Sequence, residues 1–284
     1  MFLVLAPFVL LVAAAIASAG ATHAEKVLRL EGDIVMWVAP AAGAATSVTY
    51  AMLTEPYSLP KNNPTLSRDN CGSMRPFAAI VAASPGVSDE MARQQLRAAF
   101  AAWQEVAGLE FIEVNDPHKA DIIIGATVAA SGRAFANLSI RGGRDAQPIA
   151  KALGATSDGR PSDRADPIVE RSAAAIDRAY VCLNSKTPWK AGFDGNLDVY
   201  DLRYTFMHEI GHAVGLDHPG RSGSIMGYRY DERVHKLQPS DIAAAQSLYG
   251  PPRTKLRCSG STQMDEVTGD ADSAWRACLA PRDK

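Results

Sequence analysis

The sequence of 284 residues has no marked charge bias, because 29 Lys and Arg stand against 31 Asp and Glu and give a formal net charge of −2. It has no basic patch or stripe, so we expect no nucleic-acid partner. It also has no internal repeat. With 47% hydrophobic residues, the chain can bury one large core or two smaller ones, which is typical of a globular protein.

No apolar run reaches the usual length of a transmembrane helix. The longest covers residues 2–16 and is followed by Ala17, Ser18 and Ala19, without a preceding Lys or Arg. An apolar run of this kind that ends in small residues is typical of a secretory signal. We therefore predict a signal peptide over residues 1–24, with an uncleaved anchor as the alternative. We expect a secreted or periplasmic monomer that has no stable membrane association after cleavage.

Cysteine is scarce, and the four that occur are Cys71, Cys182, Cys258 and Cys278. An even number in an exported chain suggests two disulfides. Three connectivities are possible. We favour Cys71 with Cys182 inside the main domain and Cys258 with Cys278 in the C-terminal tail.

Only six histidines occur, but three of them fall in residues 208–218, which read HExxHxxGxxH. Positions four apart on a helix share one face, so His208 and His212 can bind one metal ion. Gly215 tolerates the left-handed backbone that ends a helix, and the chain can then return His218 to the same ion. Three protein ligands and an open fourth position predict one catalytic zinc.

Glu209 stands beside the first of these histidines and is the candidate catalytic base. Its carboxylate can take a proton from a water that zinc activates, which predicts metal-assisted hydrolysis. Two alternatives remain: a helix with surface histidines, and a zinc-retaining binding protein without activity. Glu209 favours the enzyme, because an inactive relative has no need of a base at this position.

Hydrophobic periodicity predicts an α+β domain, in which a twisted mixed sheet of about five strands packs on helices. The predicted strands are residues 47–53, 109–114, 121–124, 134–140 and 180–183. Ser88 is a good N-cap for a helix that Gly108 ends, and Asp198 or Asp201 can cap the helix that carries His208. A last helix begins near Pro239 and ends at Gly250.

The chain divides into four parts around this domain. The signal peptide is followed by an N-terminal arm or linker at 25–45, a catalytic domain at 46–252 and a C-terminal tail at 253–284. The tail is polar, and a local disulfide would be its chief staple. Residues 141–171 lack any regular period and predict a long loop.

The segment SIMGY at 224–228 resembles the Met-turn of metzincin zinc proteases, and further segments are similar to matrixin catalytic domains in order and spacing. These are GLDH (215–218), LQPSDIAAAQSLYG (237–250) and AFAAWQEVAGLEFIEV (99–114) followed by ADIIIG. The resemblance covers roughly residues 47–250. It implies the metzincin fold and a zinc endopeptidase that acts on a protein or peptide substrate, with Met226 as a structural floor below the metal.

Two departures from the matrixin pattern concern metals and regulation. Matrixins carry an inhibitory cysteine ahead of the catalytic domain, whereas Cys71 lies inside it, so we favour a disulfide over a cysteine switch. No histidine occurs in residues 125–203, so a second zinc is not expected. Asp145, Asp158, Asp163 and Asp166 could bind calcium or belong to a solvated loop.

Tyr228 is the third departure. It stands two residues after Met226, where matrixins usually have proline, and it resembles the pattern of astacins and serralysins. In those families the phenol oxygen can ligate zinc and stabilise the transition state. Tyr228 is therefore a candidate catalytic residue, with an ordinary tyrosine at the rim of the site as the alternative. The resemblance also implies that strand 134–140 pairs with substrate and that residues 227–237 form the specificity wall.

Overall fold

The computed structural model describes residues 27–30, 32–39, 45–59, 70–128, 132–141, 173–219 and 223–252. The predicted signal peptide and the C-terminal tail, with Cys258 and Cys278, lie outside these ranges. The four aspartates considered for calcium lie outside them as well. Within the ranges, no helix combines the length and apolar character needed to cross a membrane.

Eleven strands and three α-helices occur in the described ranges. The strands are β1 Arg29–Leu30, β2 Asp33–Met36, β3 Thr46–Met52, β4 Tyr57–Ser58, β5 Ser73–Met74, β6 Leu109–Glu113, β7 Ile122–Thr127, β8 Ala134–Ile140, β9 Ala173–Asn184, β10 Trp189–Lys190 and β11 Tyr200–Asp201. The helices are α1 Asp89–Val106, α2 Leu202–Ala213 and α3 Pro239–Tyr249.

Seven of the strands form one mixed sheet in the order β1-β2-β9-β7-β3-β6, with β8 paired to β9. Strand β3 pairs in parallel with β6 and β7, and β7 pairs in parallel with β9, while β8 runs antiparallel to β9. All five predicted strands form, and β9 is longer than predicted. The predicted α+β architecture with a mixed sheet is confirmed, with two additional short strands that come from the N-terminal segment.

The central position of β7 explains its composition. Ile122, Ile123 and Ile124 are fully buried, and parallel strands lie on both sides of them. A parallel strand that is covered on both faces has no solvent side, so it is continuously apolar instead of alternating. β8 occupies an edge position, since β9 is the only described strand that pairs with it.

The segment expected to be an arm or linker contributes β1 and β2 to the sheet. These two strands form an antiparallel pair, and β2 runs parallel to the first residues of β9. Trp37 follows β2 and is buried; its Nε1 donates to the carbonyl of Ala213 at 3.0 Å. Its backbone N–H donates to the hydroxyl of Tyr249 at 3.1 Å. Trp37 therefore joins this segment to both α2 and α3.

Side chains cap the N-termini of α1 and α2. The Ser88 side chain accepts a hydrogen bond from the Met91 N–H at 3.1 Å and caps α1 as predicted. Of the two candidate caps for α2, Asp201 is the one used. Trp103 on the buried face of α1 donates from Nε1 to the carbonyl of Met207 at 2.9 Å, which joins α1 to α2.

The predicted disulfide between Cys71 and Cys182 is confirmed. It joins the segment before β5 to β9 across a sequence separation of 111 residues, and both cysteines are fully buried. Because the Cys71 sulfur is bonded to Cys182, the alternative of an inhibitory cysteine switch at Cys71 is wrong.

Candidate metal centre and active-site pocket

Helix α2 presents two of the predicted metal ligands. Its first turn is fixed by the Asp201 carboxylate, which accepts from the Tyr204 N–H at 2.8 Å. Ile210 is fully buried and fixes the rotation of the helix against the core. His208 and His212, one turn apart, then project together, with their Nε2 atoms separated by 3.2 Å.

Gly215 produces the turn that brings back the third histidine. Its φ is +90°, in the left-handed region that side chains disfavour. A Cβ at this position would also lie 2.2 Å from the carbonyl oxygen of Val35 in β2. The turn returns His218, whose Nε2 lies 3.3 Å from the Nε2 of His208.

The three imidazoles fit a tetrahedral zinc. Zinc binds imidazole nitrogen at about 2.0–2.1 Å, and a tetrahedral arrangement then places two such nitrogens about 3.3 Å apart. The measured separations from His208 to His212 and His218 are 3.2 and 3.3 Å. Within the described ranges, these histidines form the only group of three or more His, Cys, Asp or Glu side chains that could hold a metal. The four aspartates considered for calcium lie outside the described ranges, and the calcium prediction is not supported.

Backbone carbonyls fix the protonation of two of these rings. The Nδ1 of His208 lies 2.7 Å from the oxygen of Ile225, and the Nδ1 of His212 lies 2.8 Å from the oxygen of Leu216. A carbonyl oxygen can only accept, so each Nδ1 carries the proton and each Nε2 keeps its lone pair for a metal.

Burial keeps both rings neutral. It lowers the pKa of His208 to about 4 and, together with the proximity of His208, lowers the pKa of His212 to about 3. Neutral imidazole is the form that binds zinc, so the site does not need to lose protons from these rings to accept the ion near neutral pH.

Glu209 is buried beside these ligands, with 6% of its surface exposed. Desolvation raises the pKa of its carboxyl group to about 8. A divalent cation held by the three histidines would oppose this shift, because a nearby positive charge favours the ionised carboxylate. The protonation of Glu209 therefore depends on whether the three histidines hold a metal ion.

The segment after His218 forms a support below the histidines. Met226 is 2% exposed and packs so closely on α2 that a Cβ at Gly211 would lie 2.2 Å from its sulfur. The buried Asp241 carboxylate in α3 accepts the N–H groups of Ile225 and Met226 at 2.9 and 3.2 Å. Asp241 therefore holds residues 225 and 226 in place, and the carbonyl of Ile225 orients His208.

Tyr228 lies against the third histidine. Its ring is stacked on that of His218, with the centroids 4.0 Å apart and the planes inclined by 16°. The tyrosine is 70% exposed, so its position is compatible both with a catalytic hydroxyl and with a residue at the rim.

A pocket of about 240 Å³ opens beside Glu209. It is lined by Arg133, Ala134, Tyr200, Tyr204, Thr205, His208, Glu209, Gly227, Tyr228 and Tyr230. The edge strand β8 supplies Ala134, and the segment after Met226 supplies three lining residues. Both were expected from the sequence to line the substrate site.

Four residues of the pocket were missed by sequence reasoning: Arg133, Tyr200, Tyr204 and Thr205. Tyr204 and Thr205 stand four and three positions before His208, so helical spacing could have placed them beside it. Arg133 stands directly before β8, but no pattern in the sequence indicates that its side chain reaches the pocket. Asp241 was also missed, although a carboxylate in the first turn of a helix is a common acceptor of backbone N–H groups.

Comparison with known proteins agrees with this geometry. The matrixin family (peptidase M10) matches residues 78–250. Human matrix metalloproteinase-16 is 32% identical over 178 residues, which cover 60% of this chain and 25% of that protein. Metalloendoproteinase 1-MMP of Arabidopsis thaliana is 28% identical over 185 residues, which cover 63% of this chain and 43% of that protein.

The chain thus spans less than half the length of these relatives. The match to the family nevertheless includes α1, the three histidines, the Met-turn and α3, and it covers more than half of the chain. Membership of this family supports a zinc metalloprotease. This chain belongs to the matrixin family.

Proposed function

We propose that the protein is a secreted zinc endopeptidase in which Glu209 is the general base. The observation that carries the proposal is the convergence of three imidazole nitrogens beside one buried carboxylate. His208, His212 and His218 would hold one zinc ion, and the pocket beside them would receive a protein or peptide substrate. A monomer remains the expectation.

The proposed chemistry divides between the metal and the chain. Zinc, when bound, supplies Lewis acidity that activates water and polarises the scissile carbonyl. Glu209 accepts the proton of the attacking water and then delivers it to the nitrogen of the leaving amine. Its low exposure removes the carboxylate from bulk water, and this desolvation raises its pKa and hence its basicity.

Tyr228 is proposed to donate a hydrogen bond from its hydroxyl to the oxyanion that develops in the transition state. Its stacking on His218 supports this role, because it keeps the phenol beside a metal ligand. Its high exposure leaves room for the ring to move when substrate arrives. Met226 has a different role, since its buried side chain packs below the helix and supports the site.

The edge strand β8 is proposed to bind the main chain of an extended substrate. Its outer edge faces no other described strand, and its first residue lines the pocket. Backbone N–H and C=O groups on such an edge can pair with a peptide as an added strand. The peptide backbone would then be aligned while one side chain enters the pocket.

The disulfide between Cys71 and Cys182 supports export. Disulfides persist in oxidising compartments and are rare in the reducing cytosol. We therefore keep the signal peptide over residues 1–24 as part of the proposal. Edman sequencing or mass spectrometry of the exported protein tests it, and a mature N-terminus within residues 1–16 would contradict it.

The test of the enzymatic proposal combines a metal count with a cleavage assay. We expect about one zinc per chain in the wild type and in Glu209→Ala. Only the wild type should cleave an unbiased peptide library, because a missing general base lowers the rate by about 10²–10⁴-fold. Glu105→Ala removes an exposed glutamate on α1 and serves as the matched control, which should remain active.

The outcomes separate the enzyme from its alternative. A wild-type protein that holds zinc but cleaves no peptide would favour a zinc-retaining binding protein. Equal activity of the Glu209→Ala variant would remove Glu209 from the mechanism. Loss of activity in the Glu105→Ala control would show that the assay reports general damage to the fold.

A further inference from the structure

We propose that Arg133 selects substrates with a carboxylate side chain, glutamate or aspartate, next to the scissile bond. This inference rests on the proposed peptidase function and names a substrate preference for the same pocket. Among the residues that line this pocket, Arg133 is the only Arg or Lys and Glu209 is the only Asp or Glu. Glu209 lies on α2 beside His208, whereas Arg133 lies directly before β8.

A stack of side chains fixes the place of the guanidinium. The Cζ of Arg133 lies 4.2 Å from the centroid of the Tyr200 ring. The Tyr200 ring is in turn stacked on Tyr230 at 4.2 Å, and Tyr204 meets Tyr230 edge-on at 4.8 Å. One wall of the pocket therefore consists of three tyrosine rings in contact with one another, and the guanidinium of Arg133 lies over the outermost ring, that of Tyr200. Stacking of this kind holds the position of an arginine without using its N–H groups.

Two of the three tyrosines of this wall, Tyr204 and Tyr230, have their hydroxyl groups hydrogen-bonded within the protein. The Tyr230 hydroxyl donates to the Glu232 carboxylate at 2.9 Å and accepts from the Asp201 N–H at 3.0 Å. The Tyr204 hydroxyl donates to the carbonyl of Arg229 at 3.3 Å. These two side chains thus offer ring surface to a substrate, and their hydrogen bonds hold the wall in place.

The guanidinium of Arg133 is the donor that remains available to a ligand. No carboxylate in the described part of the chain forms an ion pair with it, and no described acceptor takes a hydrogen bond from it. An apolar substrate side chain would displace the water that hydrates these N–H groups and would offer no hydrogen-bond acceptor in its place. A carboxylate would replace that water with a charge-assisted and bidentate pair.

The test uses peptides blocked at both ends that differ only in one residue beside the cleaved bond: Glu, Gln, Leu or Lys. We expect kcat/KM for the Glu peptide to exceed that for the Gln peptide about tenfold, the effect of one charge-assisted hydrogen bond. Arg133→Gln should abolish this ratio, mainly through KM. Arg133→Lys keeps the charge and should retain part of the preference.

Arg141→Gln is the matched control. It removes the same charge from an exposed residue just after the other end of β8, and it does not line the pocket. We expect the control to keep the wild-type ratio of Glu to Gln cleavage. An equal loss of the ratio in Arg133→Gln and Arg141→Gln would overturn the proposal, because the preference would then come from the overall charge of the surface and not from Arg133.

Failure of this inference can be distinguished from failure of the peptidase function. Cleavage of neutral and acidic peptides at the same rate would overturn the role of Arg133 and leave the peptidase intact. If zinc-loaded wild type cleaves nothing, the peptidase proposal fails, and calorimetric binding to Glu209→Gln protein still tests Arg133. The Glu209→Gln protein should bind the Glu peptide about tenfold more tightly than the Gln peptide. The double variant Glu209→Gln and Arg133→Gln should bind the two peptides equally. Equal binding of the two peptides would overturn the inference.

Discussion

Replacement of Gly211 by alanine sets two physical effects against each other. In an unconstrained helix, alanine is more favourable than glycine by about 0.8–1 kcal/mol. At this position, however, the added Cβ would lie 2.2 Å from the sulfur of Met226 and 3.0 Å from Cζ2 of Trp103. Both neighbours are buried, with exposures of 2% and 0%, so neither can move into solvent. Overpacking of a core costs about 1–3 kcal/mol, and a contact as short as 2.2 Å belongs to the upper part of that range, about 2–3 kcal/mol, which exceeds the gain in helix propensity.

We therefore expect Gly211→Ala to lower the free energy of unfolding by about 1–2 kcal/mol. For a domain of this size, a change of that magnitude lowers Tm by about 2–8 °C. Zinc affinity should fall as well, because displacement of Met226 moves the adjacent Ile225, whose carbonyl orients His208. Calorimetric melting of the metal-free protein measures the first effect, and competition with a chelator measures the second.

A double-mutant cycle with Met226→Ala provides the control. Met226→Ala alone leaves a cavity and should cost about 2–5 kcal/mol. It also removes the sulfur that conflicts with the new Cβ, so the double variant should be more stable than the sum of the single changes predicts. If Gly211→Ala is instead more stable than the wild type and holds zinc normally, the close packing of α2 on the Met-turn does not constrain this site.

Three further predictions concern the surroundings of the site. Asp241→Ala should lower the free energy of unfolding by about 3 kcal/mol and weaken zinc binding, because buried N–H groups of the Met-turn lose their charged acceptor; calorimetry and zinc titration check this. The double variant Cys71→Ser and Cys182→Ser should lose about 4–5 kcal/mol in denaturant unfolding, and an unchanged midpoint would contradict the loop-closure argument. The hydrogen bond from Arg97 lowers the pKa of Glu113 in the folded protein. This pair should therefore stabilise the fold fully above the unfolded pKa of about 4.3, and the contribution should be lost as the pH falls through the lower pKa of the folded state. Melting curves should accordingly show that Arg97→Gln lowers Tm at pH 6 and has a smaller effect at pH 3.

The zinc-binding pattern could be predicted because it depends only on residues that lie close together in the sequence. His208 and His212 are related by one helical turn, and Gly215 stands where the backbone must become left-handed. These relations depend on spacing along a few residues. The strands could be predicted for a similar reason, since a buried parallel strand such as β7 has a composition that few other elements share.

The pocket could not be predicted in the same way, because it depends on contacts between distant segments. Arg133 meets Tyr200 across 67 residues of sequence, and neither residue belongs to a periodic pattern that points to the other. The N-terminal segment was missed as part of the sheet because the strands β1 and β2 are short. Their pairing depends on β9 and on the burial of Trp37, which no local pattern shows.

The position of the third histidine depends on the N-terminal segment as well as on the motif. The N–H of Leu28 donates to the carbonyl of Gly215 at 2.8 Å, and Val27 forms an isolated bridge with Leu216. Leu216 in turn provides the carbonyl that orients His212. The turn between two of the histidines is therefore held by two residues that directly precede β1 and lie more than 180 residues earlier in the chain. A motif of eleven residues supplies the imidazoles, but the spacing between them is maintained by packing from the first described residues and from α3.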